Sequence, residues 1–151
     1  MPFAQSRYDM KVLLVPIILC TLECTPASAA ETSPAAGKIL FAENCGSCHG
    51  VNAWGDGIAA ARLTTPPADL TEIAARRSGV WPMLEVMSII DGYTKRTMPR
   101  EDMPVITDLS EGARVDFDTG NGQVTSVPAR LIALANYLES IQMPRPNRYV
   151  P

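Results

Sequence analysis

The sequence predicts a mainly α domain in which two helices from opposite ends of the chain cross, with a small β-hairpin near residues 114–125 ahead of the second helix. Three observations predict it. Ser33-Pro34 opens a run carrying Ile39, Leu40 and Phe41; serine is a favoured N-cap, and proline is tolerated at the first helical position because its missing N–H would have had no partner there. Leu131, Leu134, Leu138 and Ile141 recur at steps of three and four residues, which is one face of an amphipathic helix. Thirteen prolines and ten glycines in 151 residues divide the rest into short pieces and exclude a long bundle.

The length fits one domain, and a hydrophobic content of 46% supplies its core. A net charge of −3 excludes the basic field that nonspecific nucleic-acid binding needs. Residues 1–29 read as a cleavable export signal: Arg7 and Lys11 are basic, Val12 to Leu22 is apolar, and Ala27-Ser28-Ala29 is a small-residue cleavage site. The functional domain is then residues 30–151. The apolar run is too short to cross a hydrocarbon layer of about 30 Å, which takes about 20 residues, so no stable membrane anchor is expected. Cys20 and Cys24 fall within this leader, and Leu19 and Glu23 precede them where a lipid-attachment site wants a small residue.

The first helix, from Ala35 to about Asn44, delivers the pentapeptide Cys45-Gly46-Ser47-Cys48-His49, followed by Gly50. Cys-x-x-Cys-His is the attachment signature of c-type haem. Residues three apart share a helix face, so both sulfurs reach the porphyrin vinyl groups, and the histidine that follows falls beneath the iron as its proximal ligand. Three other readings compete. Structural zinc wants four nitrogen or sulfur ligands, yet His49 is the sole histidine and the other two cysteines lie in the leader. A thioredoxin-like pair would follow a strand, whereas the residues before Cys45 have helical periodicity. A simple disulfide would close a very small loop and constrain the unfolded chain little.

Gly37 inside the first helix costs about 1 kcal/mol relative to alanine, which points to close approach by the second helix near Gly37 and Phe41. Val51 to Gly57 is turn-rich and Ile58 to Leu63 is a brief helix. Thr64-Thr65-Pro66-Pro67 is extended, since proline restricts both itself and the residue before it; such a stretch suits a backbone carbonyl offered to the second ring nitrogen of His49, with Pro67 in the haem pocket. Leu70 to Arg77 is a short helical pattern. Pro82 to about Asp91 is another, with Met83, Val86, Met87 and Ile90 as a wall of the pocket and Gly92 as its stop. Trp81 either packs on the porphyrin or belongs to the core. Val115 and Phe117 alternate with polar residues and Asn121-Gly122 is a turn signal, the basis for the hairpin.

Methionine is the usual second axial ligand in electron-carrying haem sites. Met98-Pro99 and Met103-Pro104 both place one in an extended loop, and their chemistry barely separates them. Gly37, Phe41, the Cys-x-x-Cys-His-Gly run, a Met-Pro loop and a last helix with Leu134, Tyr137 and Leu138 resemble class I c-type cytochromes over nearly the whole mature chain. Pro66-Pro67-Ala68-Asp69-Leu70, Val86-Met87, Asp91-Gly92-Tyr93 and Asp118-Thr119-Gly120 look like a group of small proteobacterial monohaem members with an insertion before the last helix. The resemblance implies the class I fold, with one haem c wrapped between the crossing helices, and favours Met103 over Met98 as ligand.

It further implies a monomeric periplasmic electron carrier rather than an enzyme, working by outer-sphere transfer between redox proteins, membrane respiratory or photosynthetic complexes among them. Its sole histidine is committed to iron, and no nucleophile and base pair, nucleotide loop or acidic dyad is present. Two alternatives remain at this stage: a haem subunit of a periplasmic dehydrogenase complex, and a gas-binding or catalytic haem protein with an open sixth position. Arg62, Arg76, Arg77, Lys95, Arg96 and Arg100 precede an acidic stretch from Glu101 to Asp118, an asymmetry suited to orienting encounter with an acidic partner.

Overall fold

The computed structural model describes residues 27–93 and 103–150. The expected leader up to residue 26 therefore lies outside the described residues, as do Lys95, Arg96, Met98 and Arg100. The short helix α1 (Ala27–Glu31) spans the expected cleavage site.

Helix α2 (Pro34–Asn44) begins as the caps predict. Ser33 is extended (φ −67°, ψ 151°), and its hydroxyl accepts the Ala36 N–H at 3.2 Å, which satisfies one of the first-turn donors that have no intrahelical partner. Gly37, Leu40 and Phe41 are buried, whereas Ile39, beside them in the same apolar run, is 61% exposed. At about 3.6 residues per turn, positions 37, 40 and 41 share one side of the helix and position 39 points away.

Helix α5 (Ala129–Ser140) buries Leu131, Leu134 and Leu138 together with Ile132, Ala133 and Tyr137. It crosses α2 at Gly37, where an added Cβ would stand 2.7 Å from the Tyr137 Cβ. The rings of Phe41 and Tyr137 meet with centroids 5.4 Å apart and planes tilted by 51°, an arrangement the aromatic quadrupole favours. Burying a side chain of this size contributes about 1.5–3 kcal/mol, so the crossing anchors the domain. Asn136 Nδ2 also donates to the Thr32 carbonyl at 2.9 Å, fixing the lead-in to α2.

Between these helices the chain is short-pieced. Single 3-10 turns at Ala60–Arg62, Leu70–Glu72 and Ala75–Arg77 replace the brief helices expected over 58–63 and 70–77. Isolated segments of that length do not sustain an α-helical nucleus, and the Asp69 carboxylate instead accepts from the Thr71 N–H at 2.8 Å and hydroxyl at 2.6 Å. Helix α4 (Met83–Ile90) has Met83, Val86, Met87 and Ile90 buried, and the chain turns at Gly92 with φ 79°.

Two small ribbons complete the fold. Strand β1 (Val80–Pro82) runs parallel to β4 (Arg148–Val150), with Trp81 opposite Tyr149; three residues are too few to show alternation, so this pairing has no signature in the sequence. Strands β2 (Arg114–Asp118) and β3 (Val124–Pro128) pair antiparallel, with Phe117 opposite Thr125. The ribbon runs on through Ser126-Val127-Pro128, past the expected end of the hairpin near residue 125, and the last helix begins at Ala129. Val115, Phe117 and Val127 pack on the core, as a two-stranded ribbon needs for stability.

After α5, Gln142 fastens the chain to residues 70–74. This amide is 3% exposed. Its Oε1 accepts the Ala74 N–H at 2.8 Å, and its Nε2 donates to the Leu70 and Leu138 carbonyls, each at 2.7 Å. Among the described residues no helix is long and apolar enough to cross a membrane.

Candidate functional site

Cys45 closes α2 and opens the single turn α3 (Gly46–His49). The N–H groups of Cys48 and His49 both donate to the Cys45 carbonyl, at 3.1 and 2.9 Å, so the spacing of the motif is realised as a helical turn with both sulfurs on one face. Both thiols are free and half-buried. The next three carbonyls, of Ser47, Cys48 and His49, accept the N–H groups of Ala59, Gly57 and Gly55 at 2.9, 3.0 and 2.8 Å. The loop after the motif thus runs back along it and satisfies the carbonyls a helix end leaves open.

The His49 Nδ1–H donates to the Ala68 carbonyl at 3.1 Å. A carbonyl can only accept, so the proton sits on Nδ1 and Nε2 keeps its lone pair. The acceptor is one residue beyond the Thr64–Pro67 stretch expected to supply it. Burial pulls the His49 pKa below its ordinary value, with the Ala68 hydrogen bond opposing in part, so the ring is neutral and ready to bind a metal at neutral pH.

Cys45, Cys48 and His49 line a cavity of about 770 Å³, within the range of roughly 300–1,000 Å³ common for cofactor sites. Phe41, Leu134 and Leu138 bring the two crossing helices to it, Thr64 to Ala68 form a second side, and Val86, Ile89 and Ile90 come from α4. Met103, Pro104 and Ile106 also line it. Pro67 is in this lining. Met98 lies outside the described residues.

Of the two places open to Trp81, the haem pocket and the core, it takes the core. It is fully buried in β1 and is absent from the cavity lining, because the pairing with β4 draws it into the core. Its indole N–H has no partner among the described residues. Met83 and Met87, expected in the pocket wall, also belong to the core, leaving the wall to Val86, Ile89 and Ile90; an eight-residue helix divides its apolar residues between two neighbours.

Two lining residues escaped the sequence reading of the pocket. Arg76 Nη2 donates to the Asp69 carbonyl at 2.6 Å, and the Arg77 guanidinium pairs with Glu85. Among the described residues they are the only ionisable side chains in the lining besides His49 and the two thiols, and no described lining residue is a carboxylate. The adjacent arginine pair inside an apolar stretch was the available signal.

This donor set fits a haem. Two free thiols share a face, an imidazole offers Nε2, the described walls are largely apolar, and Arg76 and Arg77, paired with Glu72 and Glu85, bring positive charge to the edge where porphyrin carboxylates would lie. Burial, with Cys48 alongside, pushes the Cys45 thiol up to about 11. Among the described residues no group of three or more His, Cys, Asp or Glu is placed to hold a bare metal ion. A family model described as cytochrome c matches residues 34–142. No curated protein and no solved structure matches the chain.

Proposed function

Since the chain belongs to the cytochrome c family, we propose that it is a periplasmic carrier that passes single electrons between redox proteins, its haem c joined to Cys45 and Cys48 and held axially by His49 and Met103. The observation that carries this reading is that Met103 lines the same cavity as the Cys-x-x-Cys-His turn.

When bound, haem c supplies a one-electron iron couple tuned by its axial ligands and surroundings. His49 binds through Nε2, and the Ala68 carbonyl holds the ring in one orientation and raises its basicity. Met103 offers a thioether, a soft ligand that favours the reduced state. Phe41, Val86, Leu134 and Leu138 keep water from the cavity, while Arg76 and Arg77 offset carboxylates at its edge. With His49 and Met103 both holding the group, the chain would move electrons without admitting oxygen or peroxide.

Spectra of the haem-loaded chain test the reading. The ferric parent should show a sulfur-to-iron charge-transfer band, and its ferrous form should refuse carbon monoxide. Met103→Ala should lose the band and bind carbon monoxide, whereas Met98→Ala should keep the parent behaviour. Rapid carbon monoxide uptake by the parent would replace the carrier with a haem protein open at its sixth position.

A second reading, a haem subunit of a periplasmic dehydrogenase complex, draws on an open groove of about 660 Å³ that shares no lining residue with the cavity. Val51, Trp54 and Met143 are exposed there by 86%, 55% and 69%, between Lys38 and Arg145. Co-purification with a catalytic subunit, lost on Trp54→Ala, would favour it.

A further inference from the structure

We propose that Gly55 is a positioning residue for His49: its lack of a side chain lets one backbone segment hold both the His49 carbonyl and the peptide that receives the His49 ring N–H. The proposal rests on the reading of His49 as an iron ligand.

The geometry forms a closed circuit. The Gly55 N–H donates to the His49 carbonyl at 2.8 Å. On its other side Gly55 packs against the Pro67–Ala68 peptide: an added Cβ would overlap the Pro67 carbonyl oxygen and stand 3.1 Å from the Pro67 carbonyl carbon and 3.3 Å from that of Ala68. The Ala68 carbonyl in turn accepts the His49 Nδ1–H at 3.1 Å. His49 is thus gripped at its backbone and at its ring by two segments that meet at Gly55.

Neither segment is free to step aside. The atoms in the way are backbone rather than the tip of a flexible side chain, and Pro66-Pro67 is stiff. One register further on, the Leu70 N–H donates to the Ala53 carbonyl at 2.7 Å, fastening the same two segments together. A side chain at position 55 must therefore push Ala68 away from the His49 ring or pull residue 55 off the His49 carbonyl. The first movement lengthens the His49 Nδ1–H···O hydrogen bond to Ala68, and the second releases the backbone grip that aims the ring at that carbonyl, which weakens the same bond. A weaker bond makes the imidazole a poorer donor to iron, which destabilises the ferric state and raises the reduction potential.

Gly55 also has φ +82°, a conformation that strains most side chains, so the test must separate strain from overlap. Gly122 provides the control, with φ +77° and nothing within 4 Å of an added Cβ. Asparagine tolerates this backbone region better than alanine while still carrying a Cβ. In the haem-loaded full chain, Gly55→Ala and Gly55→Asn should each raise the midpoint potential and speed exchange of the His49 Nδ1–H about tenfold, the scale of one lost hydrogen bond. Gly122→Ala should change neither. Parent-like potential and exchange in both Gly55 variants, or equal shifts in Gly122→Ala, would overturn the proposal.

The unmodified protein gives an independent test if the variants fail to load haem. Hydrogen exchange read by NMR on the reduced form should show the Gly55 amide and the His49 Nδ1–H opening with one common dependence on low denaturant. Distinct dependences would refute the coupling. Ring-proton shifts of His49 in the same spectra report iron ligation itself, so a failed ligand reading is told apart from a failed role for Gly55.

Discussion

Gly37 and Ala133 lie backbone to backbone where α2 crosses α5: a Cβ on residue 37 would overlap the Ala133 carbonyl oxygen and stand 2.5 Å from its carbon. Alanine would gain about 1 kcal/mol of helix propensity at this position, but overpacking a close contact costs about 1–3 kcal/mol, and here the obstacle is backbone. Gly37→Ala should therefore lower the stability of the haem-loaded chain by up to about 2 kcal/mol, measured by denaturant titration. A gain in stability would show that the helices are not in close contact.

Gly92 sits against the Met103 loop. An added Cβ there would overlap the Val105 Cγ2 and lie 3.3 Å from Cγ1, and Val105 is two residues past Met103. Gly92→Ala should weaken the sulfur-to-iron band and admit some carbon monoxide to the ferrous form. Adding Val105→Ala should restore part of the band; if the double variant is no better than the single, the two residues are not sterically linked.

Gln142 satisfies three backbone groups from a nearly dry position. Gln142→Leu matches its size but leaves the Ala74 N–H and the Leu70 carbonyl without this partner. Each unpaired buried group costs about 1–3 kcal/mol, so a loss of at least about 2 kcal/mol is expected in a reversible melt. A loss below half that figure would mean water replaces the amide.

Cys45 bears on haem loading. Its thiol is raised from 9.0 to about 11 by burial and by Cys48. Below pH 9 the folded and unfolded chains both carry the neutral thiol. Between about 9 and 11 only the unfolded chain releases the proton, so the stability of the haem-free fold falls as pH rises through that window. In the folded haem-free chain at pH 7 the Cys45 thiolate fraction is lowered about a hundredfold, and alkylation by iodoacetamide should slow accordingly against the chain in denaturant. Equal rates would show that Cys45 is not buried before haem is attached.

The pattern at Cys45, Cys48 and His49, the Ser33 cap and the apolar faces of α4 and α5 were legible in the sequence alone. Each is a relation between residues within a turn or two, where bond geometry and helical period decide the outcome. The inward face of α2 was readable at Gly37, but among Ile39, Leu40 and Phe41 the choice stayed open, because three consecutive apolar residues do not announce which one turns outward.

Tertiary structure decided what depended on distant partners. Trp81 went to the core because residues 148–150 pair beside it, the His49 acceptor proved to be Ala68 because Gly55 packs on Pro67–Ala68, and Arg76 and Arg77 reached the cavity edge through turns too short to project from a pattern. Met103 likewise joins the cavity lining only once the chain has folded around it. A local motif carries its own geometry, whereas the walls that surround it are set by packing between segments far apart in the chain, for which short-range periodicity holds no record.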